Sequence, residues 1–278
     1  MKVDNFSVLI TTYKGEKAEY LKASLNSILV EQTLIPNQVV LVEDGPLTKE
    51  LEDVVVQFEK EFSDILQVVR CKENRGQSKA SAEGFNHIRN EIFARMDSDD
   101  VSVQYRFEHQ YDFLLKHPEV DVVGGWIAEF NDDPNRPQSL RMVEESHDAI
   151  VKTFKKRMPF NNVTVMMRKQ KVSDAGGYGR ETVNEDYSLF AHMWVNGAIF
   201  HNLQEVLVDV RVGNNMLGRR TDFRIFRDWV KDQIYLVKAG KHTVIQGLIS
   251  STLCFGFIIL PPSVKSFVYK RILRKSIQ

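Results

Sequence analysis

The amino-acid sequence predicts an α/β fold: a mainly parallel mixed sheet with helices on both faces, followed by a basic helical C-terminal extension. Three observations carry this expectation. Over the first hundred residues, short continuous apolar runs alternate with amphipathic stretches of helical period, the pattern of βα units whose strands are buried on both faces. Acid- or glycine-bearing turns follow those runs, as at "VEDG" (42–45) and "MDSDD" (96–100). Charge is also unevenly spread. Formal net charge is zero from 37 basic and 37 acidic residues, but residues 219–278 hold twelve Lys/Arg against three Asp, a net +9, which leaves the remainder at −9.

A chain of 278 residues that is 43% apolar and 27% charged can bury the core of one α/β domain with an extension. We expect a main domain over residues 1–218 and a basic, apolar helical region over 219–278. Cys71 and Cys254 form no metal or redox motif, which fits a reducing compartment. The apolar run near the N-terminus is too short for a signal peptide.

In chain order, "FSVLITTY" (6–13) reads as a strand. Residues 18–32 place Leu21, Leu25, Ile28 and Leu29 on one helical face. Residues 38–45 form a second strand, 47–62 a helix and 65–71 a third strand. Residues 77–88 form a helix after the Asn74-Arg75-Gly76 turn, and 91–97 a fourth strand. Residues 104–117 look helical, 120–127 strand-like, 131–140 a polar loop and 161–169 β-like. "AGGYG" (175–179) is a flexible turn. Residues 184–197 read as a capped helix, with acids in the first turn and glycine at the end. Ligands bind outside the carboxyl ends of strands in such sheets, so Tyr13, Asp44 and Asp97 should converge on one crevice.

The C-terminal stretch "VIQGLISSTLCFGFIIL" (244–260) is apolar, but it contains Gln246, two glycines and Ser/Thr, and Pro261-Pro262 ends it. A membrane-spanning helix needs ~20 predominantly apolar residues. An interfacial or re-entrant helix fits better, with the basic "KSFVYKRILRK" (265–275) after it. The alternative is a helix buried against the α/β domain. The anionic partner expected for this region is a membrane surface; no nucleic acid is expected.

Asp97, Asp99 and Asp100 crowd three carboxylates into four positions. Like charges this close repel, so the cluster is either solvated or built around a cation. Hard cations such as Mn²⁺ or Mg²⁺ take one or two carboxylates plus substrate phosphates. The competing structural role is an acidic turn that caps the next helix.

Five ordered blocks over residues 5–212 resemble an inverting family-2 glycosyltransferase of the GT-A nucleotide-sugar-binding fold. They are "FSVLITTYKGEKAEYLKASLNSIL", "QVVLVEDGP", "NRGQSKASAEGF", "IFARMDSDDVSVQYRFEHQYDFL", and "GGY" followed by "NEDYSLF". The fourth is similar to an "ARMD-x-DD … R-x-x-x-Q" signature of bacterial polysaccharide enzymes. The resemblance implies that Thr11, Thr12 and Tyr13 line the uracil and ribose, and that Asp44 accepts from the base or ribose. Asp97 would contact the ribose or the metal-bound sugar diphosphate, with Ser98 beside it. Asp99 would be the main metal ligand, Asp186 the general base, and Glu185 a neighbour that shapes the site or accepts a sugar hydroxyl. Arg211, Arg219 or Arg220 after the last strand would hydrogen-bond the leaving group, while Lys79, outside the pattern, would either reach the diphosphate or be a surface charge. Lys79 and Ala82 depart from the pattern, where many relatives carry a small residue and Asn.

Taken singly, several of these residues have plainer roles. The threonines and Tyr13 would end a strand, Asp44 would start a turn, and the acids at 185–186 would favour a helix N-terminus through its dipole. The resemblance as a whole implies transfer of a hexose, first of all galactose from UDP-galactose, to an undecaprenyl-diphosphate-linked sugar in bacterial surface-polysaccharide synthesis. Mn²⁺ or Mg²⁺ would assist, and the protein would sit peripherally at the cytoplasmic face of the cell membrane. UDP-N-acetylhexosamines and dTDP-rhamnose are alternative donors. A rival enzyme class is a haloacid-dehalogenase-like phosphatase, in which Asp97 is the nucleophile and Asp99 the acid/base. Its motif normally ends the first strand, whereas here three βα units precede it. A second rival is a non-catalytic membrane adaptor with the same fold.

Overall fold

The computed structural model describes residues 6–180, 182–212, 223–261, 264–265 and 274–276. Strands β1 (Phe6–Thr12), β2 (Gln38–Glu43), β3 (Leu66–Arg70) and β4 (Ile92–Asp97) lie parallel in the order β3-β2-β1-β4. Helices α1 (Ala18–Leu29), α2 (Lys49–Glu61) and α3 (Gln77–His87) connect them. These elements match the sequence expectation because each has one dominant local signal. Leu21, Leu25, Ile28 and Leu29 are all buried, as the helical spacing requires. Thr48 caps α2 by accepting from the Leu51 N–H.

The parallel strands are apolar on both faces because two layers cover them. Val8, Ile10, Val39, Leu41 and Met96 pack in one core with α1 and α2. Their alternates Leu9, Val40, Val42 and Phe93 pack in a second core with α3, as the two-residue period of a strand dictates. Helix α3 lies so close to the sheet that a Cβ on Gly84 would come within 2.4 Å of Leu9 Cδ1.

Beyond β4 the sheet turns mixed. The two-residue β5 (Val101–Ser102) follows, then α4 (Arg106–Lys116), β6 (Val122–Phe130), β7 (Ser139–Arg141), α5 (His147–Thr153), β8 (Met166–Arg168), α6 (Lys169–Asp174), α7 (Glu185–Val195) and β9 (Phe200–Arg211). β8 runs antiparallel to both β4 and β6, while β9 runs parallel to β6 and antiparallel to β5. The "R-x-x-x-Q" pair proves to be a buried clamp on α4. Arg106 donates to the carbonyls of Arg95 and Val163 and to Gln110 Oε1, and Gln110 donates to the carbonyls of Val123 and Thr164.

Two expectations need correction. Residues 161–169 hold a 3₁₀ turn at Asn162–Thr164 and only a three-residue strand. The reason is that Thr164 Oγ1 bonds the Asn161 carbonyl and accepts from Gly125 N–H, side-chain bonds that displace a ladder. The polar loop 131–140 also ends inside β7, where Ser139 and Leu140 pair with Glu129 and Ala128.

Helices α8 (Phe223–Lys238) and α9 (Val244–Ile259) follow. α8 inserts Trp229 and Leu236 into the core beside α7. α9 buries only Gly247 and Ser250, while Val244, Ile245, Leu248, Ile249, Leu253 and Ile259 are exposed. Among the described residues, no helix is long and apolar enough to cross a membrane. Near the end of the chain, β10 (Lys275–Ser276) pairs with β7, and Arg274 makes a buried ion pair with Glu129. Arg219 and Arg220, and the Phe267, Val268 and Ile272 of the basic stretch, lie outside the described residues.

Candidate active site

The sheet topology brings the strand-end residues together. In register, Thr11 on β1 stands beside Asp97 on β4 and Val42 on β2, and Asp44 N–H donates to the Thr12 carbonyl. Thr12 is buried, and its hydroxyl has no hydrogen-bond partner among the described residues. Tyr13 is exposed at the mouth of the crevice.

The carboxylate of Asp44 has a partner for each oxygen. Oδ1 accepts from Arg75 N–H at 2.7 Å and Oδ2 from Gly76 N–H at 2.9 Å, while Asn74 Nδ2 donates to the Asp44 carbonyl. Asp44 therefore shapes the Asn74-Arg75-Gly76 turn. The next residue must be glycine: Gly45 has φ +82°, and a Cβ there would lie 2.5 Å from Asn74 N. A cavity of about 280 Å³ lined by Arg70, Cys71, Lys72 and Arg75 adjoins this turn, and it takes no residue from the acidic cluster.

The three clustered acids take different positions. Asp97 faces the crevice and accepts from Arg95 Nη2 at 3.1 Å and Gln77 Nε2 at 3.4 Å, with its own carbonyl held by Ser24 Oγ. Asp100 is buried and accepts Arg211 N–H at 2.9 Å, so it serves the fold. Asp99 lies between them. Burial first, then the charges of Asp97 and Glu16, push its carboxyl up to about 7. Ser98, next to it, is buried and points its hydroxyl at Glu16. β9 delivers Arg211 to this loop. Its guanidinium stacks over Tyr20 at 3.8 Å and Phe130 at 4.6 Å and donates to the Asp99 carbonyl.

Among the described residues, no three His, Cys, Asp or Glu side chains gather into a closed metal cage. The residues fit an open site instead. Asp97 and Asp99 offer hard oxygen donors, and the like-charge crowding that raises Asp99 is what a divalent ion would relieve.

Glu185 and Asp186 open α7 on the other side of the crevice. Burial drives the Asp186 carboxyl up to about 7, with Arg95 opposing and Glu185 and Asp97 adding to the rise. Glu185 Oε2 is buried without a hydrogen-bond partner among the described residues. Lys79 is exposed on the first turn of α3, and Ser78 beside it donates to the Arg180 carbonyl of the adjoining loop.

The residue that joins the two sides is Arg95, which the sequence reading did not single out. Its side chain is 1% exposed and donates to Ser81 Oγ and Asp97 Oδ1, each at 3.1 Å. Burial works against its charge, but Asp97, Tyr178, Asp186 and Glu185 around it raise its pKa overall. The signal was present in "IFARMD": a lone arginine in an otherwise apolar strand that ends in an acid.

Comparison with known proteins shows the family and agrees with the fold. The model of the family described as "Glycosyl transferase family 2" matches residues 7–177. An uncharacterized glycosyltransferase of Haemophilus influenzae is 38% identical over 97% of this chain and 99% of its own. A UDP-Gal:alpha-D-GlcNAc-diphosphoundecaprenol beta-1,3-galactosyltransferase of Escherichia coli is 30% identical over 97% of each chain. The amylovoran biosynthesis glycosyltransferase AmsE of Erwinia amylovora is 34% identical over 96% of this chain and 98% of its own. Among solved structures, S. aureus TarS 1–349 in complex with UDP-GlcNAc superposes with a TM-score of 0.71 at 19% identity, covering 97% of this chain and 76% of that one.

Proposed function

This chain belongs to glycosyltransferase family 2, and from that premise we propose that it moves a hexose from a UDP-sugar to a lipid-diphosphate-linked sugar, with inversion, in bacterial surface-polysaccharide synthesis. Galactose is the first candidate for the sugar, and an undecaprenyl carrier the first for the lipid. The likeness to the E. coli galactosyltransferase over 97% of each chain supports this choice, and the likeness to the Erwinia amylovoran enzyme supports a role in polysaccharide synthesis. The observation that carries the reading is the shared guanidinium. Arg95 binds Asp97 at the strand ends and sits in the field of Glu185 and Asp186 opposite, so two differently placed carboxylate groups face one crevice.

In this reading Thr11, Thr12, Tyr13 and Asp44 line the nucleoside, directly or through the turn that Asp44 holds. Asp99, with Asp97, would hold Mn²⁺ or Mg²⁺, and Ser98 and Lys79 border the same region. When bound, the ion stabilises the negative charge of the departing diphosphate. Arg211 adds positive charge beside it. Asp186 takes the proton from the acceptor hydroxyl as that oxygen bonds to the anomeric carbon. The bond from that carbon to the diphosphate oxygen breaks, and UDP leaves. A carboxyl raised to about 7 is a far better base than an ordinary aspartate and is still about half ionised at neutral pH.

An anionic membrane surface fits the C-terminal region, residues 219–278. The exposed apolar face of α9 lies in the region of net charge +9, and each Lys/Arg near an anionic bilayer contributes about 1 kcal/mol. The protein would then work peripherally at the cytoplasmic face, where lipid-linked acceptors are within reach.

The test is a panel of sugar nucleotides with a synthetic lipid-diphosphate acceptor, with Mn²⁺ and then with EDTA. Transfer from one UDP-sugar, abolished by chelation, is the expected result. If no sugar nucleotide supports transfer with metal present, the reading fails and the adaptor alternative gains. An aspartyl-phosphate on Asp97 would revive the phosphatase alternative.

A further inference from the structure

We propose that Asp228 on α8 is a positioning residue for the general base: it holds the segment that presents Glu185 and Asp186 to the crevice. This deepens the functional reading above and rests on it.

The residues on both sides of the two acids are held by α8. Asp228 Oδ2 accepts from the Val183 N–H at 3.1 Å. Asn184, immediately before α7, donates from Nδ2 to the Ile225 carbonyl at 2.8 Å. Tyr187 Oη accepts from Gln233 Nε2 at 2.8 Å, and the Tyr187 ring lies 4.2 Å from that of Trp229. The Ser188 side chain interacts with the Asp232 carboxyl and works against the rise in its pKa that burial causes. Glu185 and Asp186 stand between these four holds, so their direction is set by an element some forty residues further along the chain.

Asp228 differs from the other three. Its side chain is 1% exposed, and a carboxylate so placed is costly unless each oxygen is satisfied. Oδ1 accepts from Arg227 Nε at 3.0 Å and Lys231 Nζ at 3.2 Å. Oδ2 serves the backbone of the base segment. Burial by itself would raise the carboxyl, but Arg227, the Val183 N–H and Lys231 hold it down to about 2, so the acceptor is ionised throughout the working range. Apolar burial of Trp229 and Leu236 accounts for the docking of α8. It does not require a charged acceptor aimed at Val183, three residues before Asp186. Trp229 Nε1 also donates to Ser250 Oγ on α9 at 3.1 Å, so the bracket connects the base segment to the helix with the bare apolar face.

Full-length Asp228→Asn, Asp228→Glu and Asn184→Ala test this on anionic vesicles that carry the lipid-diphosphate acceptor. Asp228→Asn should lower kcat for transfer about ten- to a hundredfold, the scale of a small misplacement of a reacting group. KM for the donor and the affinity for UDP should stay at wild-type values. Asp228→Glu should restore most of kcat, because it keeps a charged acceptor for Val183. Asn184→Ala should fall in the same direction by a smaller factor. Wild-type kcat in Asp228→Asn, or parallel loss of UDP affinity and transfer, would overturn the positioning role. If Asp228→Asn does not fold, Asn184→Ala decides, and an unchanged kcat there overturns it. No transfer by the wild type sinks the functional reading and this one together, whereas an active wild type with an equally active Asp228→Asn sinks only the positioning role.

Discussion

The two walls of the crevice are built in different ways. The wall that we assign to the donor comes from the parallel half of the sheet. Thr11, Asp44 and Asp97 lie at the carboxyl ends of three adjacent strands, and one register aligns them. The wall that we assign to the acceptor comes from the mixed half. There Glu185 and Asp186 open a helix whose flanks are held by α8. A strand-end site follows directly from a parallel sheet, since every strand delivers its last residue to the same edge. A helix-start site depends on whatever fixes the helix, and here that element comes late in the chain. Arg95 is where the two walls meet, with one guanidinium among the acids of both.

Substitutions can break this comparison at chosen points. The largest loss is expected on the acceptor wall. Asp186→Asn keeps size and polarity but cannot take the proton, so kcat should fall by about 10² to 10⁴, roughly 3–5 kcal/mol in barrier, with UDP affinity little changed. Glu185→Gln should cost less. A reversed order in steady-state kinetics would move the base by one residue.

On the donor wall, Asp99→Ala should remove about 10²–10³ of the metal-supported rate and leave the far-ultraviolet dichroism unaltered. Near-normal turnover in Mn²⁺ would reduce the cluster to a turn and cap. Between the walls, Arg106→Met should act on stability and not on chemistry. It leaves buried acceptors at the Arg95 and Val163 carbonyls and at Gln110 without a donor. At ~1–3 kcal/mol for each orphaned group, a loss of at least about 3 kcal/mol is expected in denaturant melts. Unchanged stability would mean that the signature arginine serves the reaction instead.

Smaller effects sharpen the picture. Ile245→Gln with Leu248→Gln on the exposed face of α9 should weaken sedimentation with anionic liposomes about tenfold, or about 1.4 kcal/mol for the pair, since side chains that only partly leave water at an interface gain a fraction of the ~1.5–3 kcal/mol of full burial. Equal partitioning of the variant and the wild type would favour a protein partner for that face. Finally, the Asp186 carboxyl is raised to about 7, and it works as a base only when deprotonated. The rate should therefore fall roughly tenfold per unit below pH 7 and level off above it, only about twofold higher than at pH 7 itself. Because Arg95 opposes that rise, Arg95→Met should move the limb to higher pH. A limb that stays in place would remove Arg95 from the acceptor wall.

The sequence by itself determined the βα half and the location of its acids. Strands of five to seven apolar residues and helices with one apolar face are local signals, and the residue after each strand is known once the strand is known. It also determined that "NED" opens a helix, because first-turn acids and a glycine after the last turn are local too. Only the tertiary structure decided which of three neighbouring carboxylates turns into the fold. Asp97, Asp99 and Asp100 read alike in sequence, yet Asp100 turns inward because the backbone of Arg211, 111 residues away, supplies its donor. The same holds for Asp44, whose oxygens are taken by the amides of Arg75 and Gly76. β9 escaped delineation because "FHNLQEVLVDVR" has neither a continuous apolar run nor clean alternation, and β6 and β5 hold it in place from either side. Arg95, Arg106 and Asp228 are buried charges, and a sequence assigns charges to the surface by default. A buried ion persists only where distant groups supply its counter-charge and hydrogen bonds, and those partners are set by which elements come to lie side by side.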